Sequence, residues 1–120
     1  MQRVTPIIPA NDLDASEAFY RRLGFTVREG GDDYRMLSDR HGGQLHLTAS
    51  VEGWLVPGSN PFGIYLYAPD VDDLARAKGC AAEDKPWGMY EFAVSDPDGT
   101  LVRIGWPTRL RGEMDRARPP

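Results

Sequence analysis

The stretch "KPWGMYEFAVSDPDGTLVRIGWP", Lys85–Pro107, reads as a tryptophan-bearing loop, an alternating strand, a tight turn and a second strand. Pro97 suits the first central position of a type I turn and Gly99 the left-handed position after it, which makes a three-residue hairpin loop with a bulge. Side chains alternate between the two faces of a strand. In this register Glu91 and Ala93 fall across from Gly105 and Arg103, while Phe92 and Val94 join Ile104 and Val102 on the other face. Arg103, a charge between two aliphatic neighbours, therefore projects from the face that the aliphatic set leaves free, with Glu91 as a neighbour.

Working outward, "GIYLYAPDVDDLARAKG", Gly63–Gly79, supplies a strand, an Asp-led helix start, a short amphipathic helix with Val71, Leu74 and Ala75, and a glycine stop. The first half repeats this logic. "NDLDASEAFYRRLGF", Asn11–Phe25, starts a helix at Asp12 or Asp14, sets Ala15, Ala18, Phe19 and Leu23 at helical spacing and stops at Gly24. "VTPIIPA" before it and "FTVRE" after it have strand composition. Asp12-Leu13 corresponds to Asp70-Val71 at an offset of 58, and Ser38-Asp39 to Ser95-Asp96 at 57. Two copies of one βαβββ unit, about residues 3–50 and 61–106, fit this spacing, joined through the loop "VEGWLVPGSNP".

The expected fold is α+β: two βαβββ modules paired into a curved mixed sheet, helices on one face and a cup on the other. In "FGIYLYA" Ile64 and Leu66 oppose Gly63, Tyr65 and Tyr67; in "QLHLT" Leu45 and Leu47 oppose Gln44, His46 and Thr48. The aliphatic set suits packing under the helices, and the polar and aromatic set lines the cup.

The totals narrow the function. The chain of 120 residues has room for one domain, expected over residues 1–106, with a basic tail at 107–120. The net charge is −4, and the tail carries four arginines against Glu113 and Asp115, which leaves −6 on Met1–Trp106. An acidic body argues against a nucleic-acid partner and favours cationic ligands. No apolar run approaches the length of a membrane span, and the opening lacks a signal-peptide core, so a soluble, cytoplasmic protein is expected. The tail reads as a frayed appendage or a short helix gripping a neighbour. Cys80, the single cysteine, has no disulfide partner and reads as an idle thiol.

With these motifs in place, the chain resembles the vicinal oxygen chelate superfamily, the paired βαβββ fold of glyoxalase I, extradiol dioxygenases, fosfomycin-resistance enzymes and bleomycin-resistance proteins. "NDLDASEAFYRRLGF" is similar to the superfamily's first helix and "FAVSDPDGTLVRI" to its last hairpin. The resemblance covers about residues 3–106. The family's metal positions, carried over, fall on Thr5, His46, Gly63 and Arg103. Only His46 is a plausible ligand, and a guanidinium at Arg103 repels a divalent cation. No cofactor is expected.

Among the branches without the metal, the chain most resembles bleomycin-resistance proteins. "KPWGMYEFAVSDPDG" is similar to their Pro-Trp-Gly loop, with Trp87 as the groove tryptophan. Tyr65 and Tyr67 fall where that family has aromatic residues, and "GDDYRM" offers Asp32, Asp33 and Tyr34 as contacts. The resemblance implies sequestration of a bleomycin-type antibiotic, aromatic and cationic, without chemistry, in clefts of a homodimer. Pro6 matches a proline associated there with exchange of the N-terminal strand between subunits. The short "GCAAED" segment implies a lower cleft wall.

Each site residue also has an ordinary role open to it. Trp87 either faces a ligand or caps the core; Trp54 either touches ligand or buries itself in a dimer interface. Tyr65 and Tyr67 either stack on a ligand or fill the cup. Arg103 either pairs with Glu91 or anchors an anionic ligand group. Glu91, Asp32 and Asp33 offer charge to a cationic ligand. His46 is either a hydrogen-bonded strand histidine or a metal ligand, and His41 an exposed turn residue. Asp70, Asp72 and Asp73 read as charge favourable to the helix dipole. No nucleophile with an adjacent base is visible, so catalysis has little support. The alternative is a metal-dependent lyase, isomerase or dioxygenase using His46 with Glu91.

Overall fold

The structure, a computed structural model, describes residues 2–111. The first module runs β1 (Ile7–Ala10), α1 (Leu13–Arg22), β2 (Thr26–Gly30), β3 (Tyr34–Ser38) and β4 (Gln44–Ala49). The second runs β5 (Gly63–Tyr67), α2 (Val71–Ala77), β6 (Glu83–Asp84), β7 (Met89–Ser95) and β8 (Leu101–Pro107). Backbone hydrogen bonds divide the expected curved sheet into two four-stranded mixed sheets, ordered β1-β4-β3-β2 and β5-β8-β7-β6. In each, the first strand runs parallel to the last. Parallel pairing of these strands needs a crossover, and the helix supplies it.

Alternation sorts the faces as the sequence suggests. Leu45, Leu47, Val102 and Ile104 are fully buried and share one core with Val71, Ala75, Phe19 and Phe92. The hairpin register also follows: Phe92 pairs with Ile104, Ala93 with Arg103 and Glu91 with Gly105. Gly99 sits at φ +82°, and a Cβ there would lie 2.4 Å from the Pro57 carbonyl oxygen. The turn thus requires glycine both for its conformation and for its contact with the inter-module loop.

The first helix departs from its expected face. Asp12 caps it, accepting from the Ala15 N–H at 3.2 Å, but Ala18 is exposed, and Ser16 and Tyr20 take fully buried positions. These polar groups can be buried because they find partners in the second hairpin turn. Tyr20 Oη donates to Asp96 Oδ2 at 2.9 Å, and Ser16 Oγ to Asp98 Oδ2 at 3.3 Å. Asp96 Oδ1 also accepts from the N–H groups of Asp98 and Thr100, each at 2.9 Å. Burial, then the Asp96 charge, hold the Tyr20 phenol far above its ordinary pKa.

A second joint ties the two modules together. Asp70 stands at the N-cap of α2 without capping it, because Arg40 and His41 hold its carboxylate at 2.8 and 3.0 Å. His41 is thus a turn residue that links the first module to the second. Residues 108–111 are helical, and the Arg111 guanidinium lies 3.4 Å over the Tyr90 ring. The rest of the expected tail, 112–120, lies outside the described residues.

Candidate ligand-binding face

The side of each sheet turned away from the helices is open. On the second sheet it carries a cluster built around Glu91. The strand pattern puts Glu91 on this face of β7, yet its side chain is only 1% exposed. Three donors cover it. Trp87 Nε1 donates to Oε1 at 2.6 Å, Tyr65 Oη approaches the same oxygen at 3.4 Å, and an Arg103 terminal nitrogen donates to Oε2 at 3.1 Å. A buried carboxylate needs such partners, and the guanidinium also balances its charge.

The donors arrive from three elements. Tyr65 comes from β5, two strands away, and crosses β8 because position 105 is glycine. A Cβ at Gly105 would lie 2.1 Å from Tyr65 Oη and 2.8 Å from Glu91 Cβ. Arg103 comes from β8, in register with Tyr65. Trp87 comes from the Lys85–Gly88 turn, closed by the Gly88 N–H on the Lys85 carbonyl at 3.0 Å. Burial first, then the Glu91 charge and hydrogen bond, push the Tyr65 phenol up to about 12.

Above this polar layer lie the aromatic faces. Trp87 is 60% exposed and Tyr67 61%, although the indole N–H of Trp87 is fixed. Tyr65 and Tyr67 pack with centroids 5.0 Å apart at 49°. They also line a cleft of about 370 Å³ between the β5 edge and residues Arg3–Pro6. These rings can stack on a flat ligand, and Arg103, its side chain 42% exposed, retains N–H groups for an acceptor.

The first sheet is furnished differently. Its open face holds Tyr34 and His46, whose Oη and Nδ1 lie 2.6 Å apart with the rings edge to face. Asp32 and Asp33 lie exposed in the β2–β3 turn, and Trp54, in the inter-module loop, is 81% exposed. Within one chain, therefore, Trp87, Tyr65, Tyr67, Glu91 and Arg103 come together, whereas Tyr34, Asp33 and Trp54 stand apart from them. Glu91 is not available as a surface charge. Gly105, which makes the cluster possible, is marked in the sequence only as a strand glycine, a signal for close approach of another group.

The family metal positions offer few side chains free to bind a cation. Gly63 has no side chain, Arg103 is bound to Glu91, His46 engages Tyr34, and His46 and Glu91 lie on different sheets. Among the described residues no three His, Cys, Asp or Glu side chains gather as a metal site. This donor set does not fit a divalent cation.

The sequence profile of the Glyoxalase/Bleomycin resistance protein/Dioxygenase superfamily matches residues 2–104. The chain belongs to this superfamily. A bleomycin resistance protein of Klebsiella pneumoniae is 32% identical over 118 residues, covering 85% of this chain and 90% of the relative. Two crystal structures superpose well on the chain. A bleomycin-binding protein complexed with bleomycin has a TM-score of 0.76 at 28% identity, covering 88% of this chain and 98% of that one. A bleomycin resistance determinant encoded on the transposon Tn5 has 0.77 at 27%, covering 89% and 98%. No described helix is long and apolar enough to cross a membrane.

Proposed function

We propose that this superfamily member binds and sequesters an aromatic, cationic antibiotic of bleomycin type without metal chemistry, in clefts completed by a second copy of the chain. The observation that carries this function is the open aromatic face of the second sheet, where Trp87, Tyr65 and Tyr67 present rings over a neutralised Glu91–Arg103 pair. It is supported by the similarity to proteins that resist or bind bleomycin. A flat ring system of the drug stacks on Trp87, each aromatic contact contributing about 0.5–1.5 kcal/mol. Its cationic end is met by exposed acids such as Asp32 and Asp33, and an acceptor group by Arg103. Sequestration needs no reacting group. Such a protein acts in the cytoplasm, between drug and DNA.

The second copy is invoked because the open faces leave large apolar side chains in solvent. Ile7 is 60% exposed and Met36 37% on the first sheet; Tyr67 is 61% and Leu101 39% on the second. A facing sheet covers them and brings Tyr34, Asp33 and Trp54 of one copy towards Trp87 of the other. Exchange of the N-terminal segment about Pro6 belongs to the same proposal, since Val4 ahead of it is 95% exposed. Light scattering at micromolar concentration should give twice the chain mass; a monomer would remove the interface clefts. The functional test is protection of plasmid DNA from iron-activated bleomycin. Cleavage should stop once protein chains match drug, and undiminished cleavage at stoichiometric excess refutes the proposed function.

A further inference from the structure

Trp87 poses a problem that its exposure sharpens. A tryptophan with more than half its surface in solvent, on a short turn, ordinarily samples several orientations, and a ligand that stacks on it must first immobilise it. Here the ring is held from below. Its N–H reaches a carboxylate that is almost wholly buried, four residues further on, in the rigid β7–β8 pair. The same carboxylate ties down Tyr65 and draws Arg103 against the sheet. One buried group thus sets the orientation of two rings and one cation on the open face.

We propose that Glu91 is a positioning residue of the ligand face. It makes no contact with ligand; it pre-orders Trp87 and Tyr65 so that their faces are presented before binding, and it spends its own charge on Arg103. This inference rests on the proposed stacking role of Trp87, but the state of Trp87 in the ligand-free protein tests it independently. Relieving the ligand of ordering one large side chain corresponds to about two- to twelvefold in affinity.

Two readouts decide the matter. In ¹⁵N-labelled, ligand-free protein the Trp87 indole N–H, assigned by its loss in Trp87→Phe, should resonate well downfield and exchange slowly with solvent. Glu91→Gln, which keeps the shape but not both charged acceptors, should shift that resonance towards the free-indole position and speed its exchange. In calorimetry with copper(II)-bleomycin, Glu91→Gln and Trp87→Phe should each weaken binding by about two- to twelvefold, and the double variant by less than the product of the two. A Trp87 N–H that exchanges as fast as a free indole in the wild-type protein overturns the inference, whether or not Glu91→Gln folds. So does a resonance unmoved by Glu91→Gln in a folded chain, or fully multiplicative losses. If the wild type takes up no copper(II)-bleomycin, the proposed function falls, and the ligand-free resonance alone still upholds or overturns the pre-ordering by Glu91.

Discussion

The two halves of the chain share one βαβββ plan and bury equivalent aliphatic positions, Leu45 and Leu47 in one, Val102 and Ile104 in the other. Their open faces diverge. In the first half, β4 carries His46 and Thr48 where β8 carries Arg103 and Gly105. His46 settles on Tyr34 within its own sheet, whereas Arg103 and the space above Gly105 let three side chains converge on a buried acid. The aliphatic face is constrained by the shared core, while the open face is free to differ, and the difference lies in a few polar and small residues.

That contrast can be broken most forcefully at the two hairpin turns, where Gly42 and Gly99 occupy corresponding positions with φ of +89° and +82°. Nothing lies within 4 Å of a Cβ at Gly42, but at Gly99 it meets the Pro57 backbone. Chemical denaturation should show Gly42→Ala costing about 1–2 kcal/mol, from left-handed strain alone. Gly99→Ala should cost about 3 kcal/mol or more, because the inter-module loop must also move. Equal losses would mean that the second turn is no more tightly held than the first.

A smaller effect is expected on the open faces. Gly105→Ala displaces the Tyr65 hydroxyl and should weaken copper(II)-bleomycin binding about tenfold, with a modest change in melting temperature. Thr48→Ala, at the matching site of the first sheet, should stay within about twofold. Similar effects of the two substitutions would erase the asymmetry between the faces.

The mildest prediction concerns titration. The fold favours the protonated Tyr65 phenol, so its contribution to stability is fully present below the ordinary tyrosine value of about 10 and is lost as pH rises through about 12. A difference titration of phenolate absorbance, wild type minus Tyr65→Phe, should place this step near 12. A step near 10 would indicate that Tyr65 does not lie against Glu91.

Much of this was legible in the sequence because period-two alternation and a glycine-marked turn determine strand register. The Arg103–Glu91 pairing followed from that register. What was not legible depended on contacts between distant segments. Tyr20 and Ser16, not singled out in the sequence, can be buried only because of their partners Asp96 and Asp98, which lie 76 and 82 residues away. Asp70 read as a helix cap because its true partners, Arg40 and His41, belong to the other module. Glu91 read as a surface charge because single-strand alternation gives its direction but not the three groups above it.

The most direct measurement is a titration of intrinsic tryptophan fluorescence with copper(II)-bleomycin, on the wild-type protein and on Trp87→Ala. Saturable quenching at about one drug per chain, weakened about 100-fold by the substitution, is expected if Trp87 anchors the ligand. No saturable change in the wild type, or identical curves for the two proteins, would contradict a drug-binding face built on Trp87.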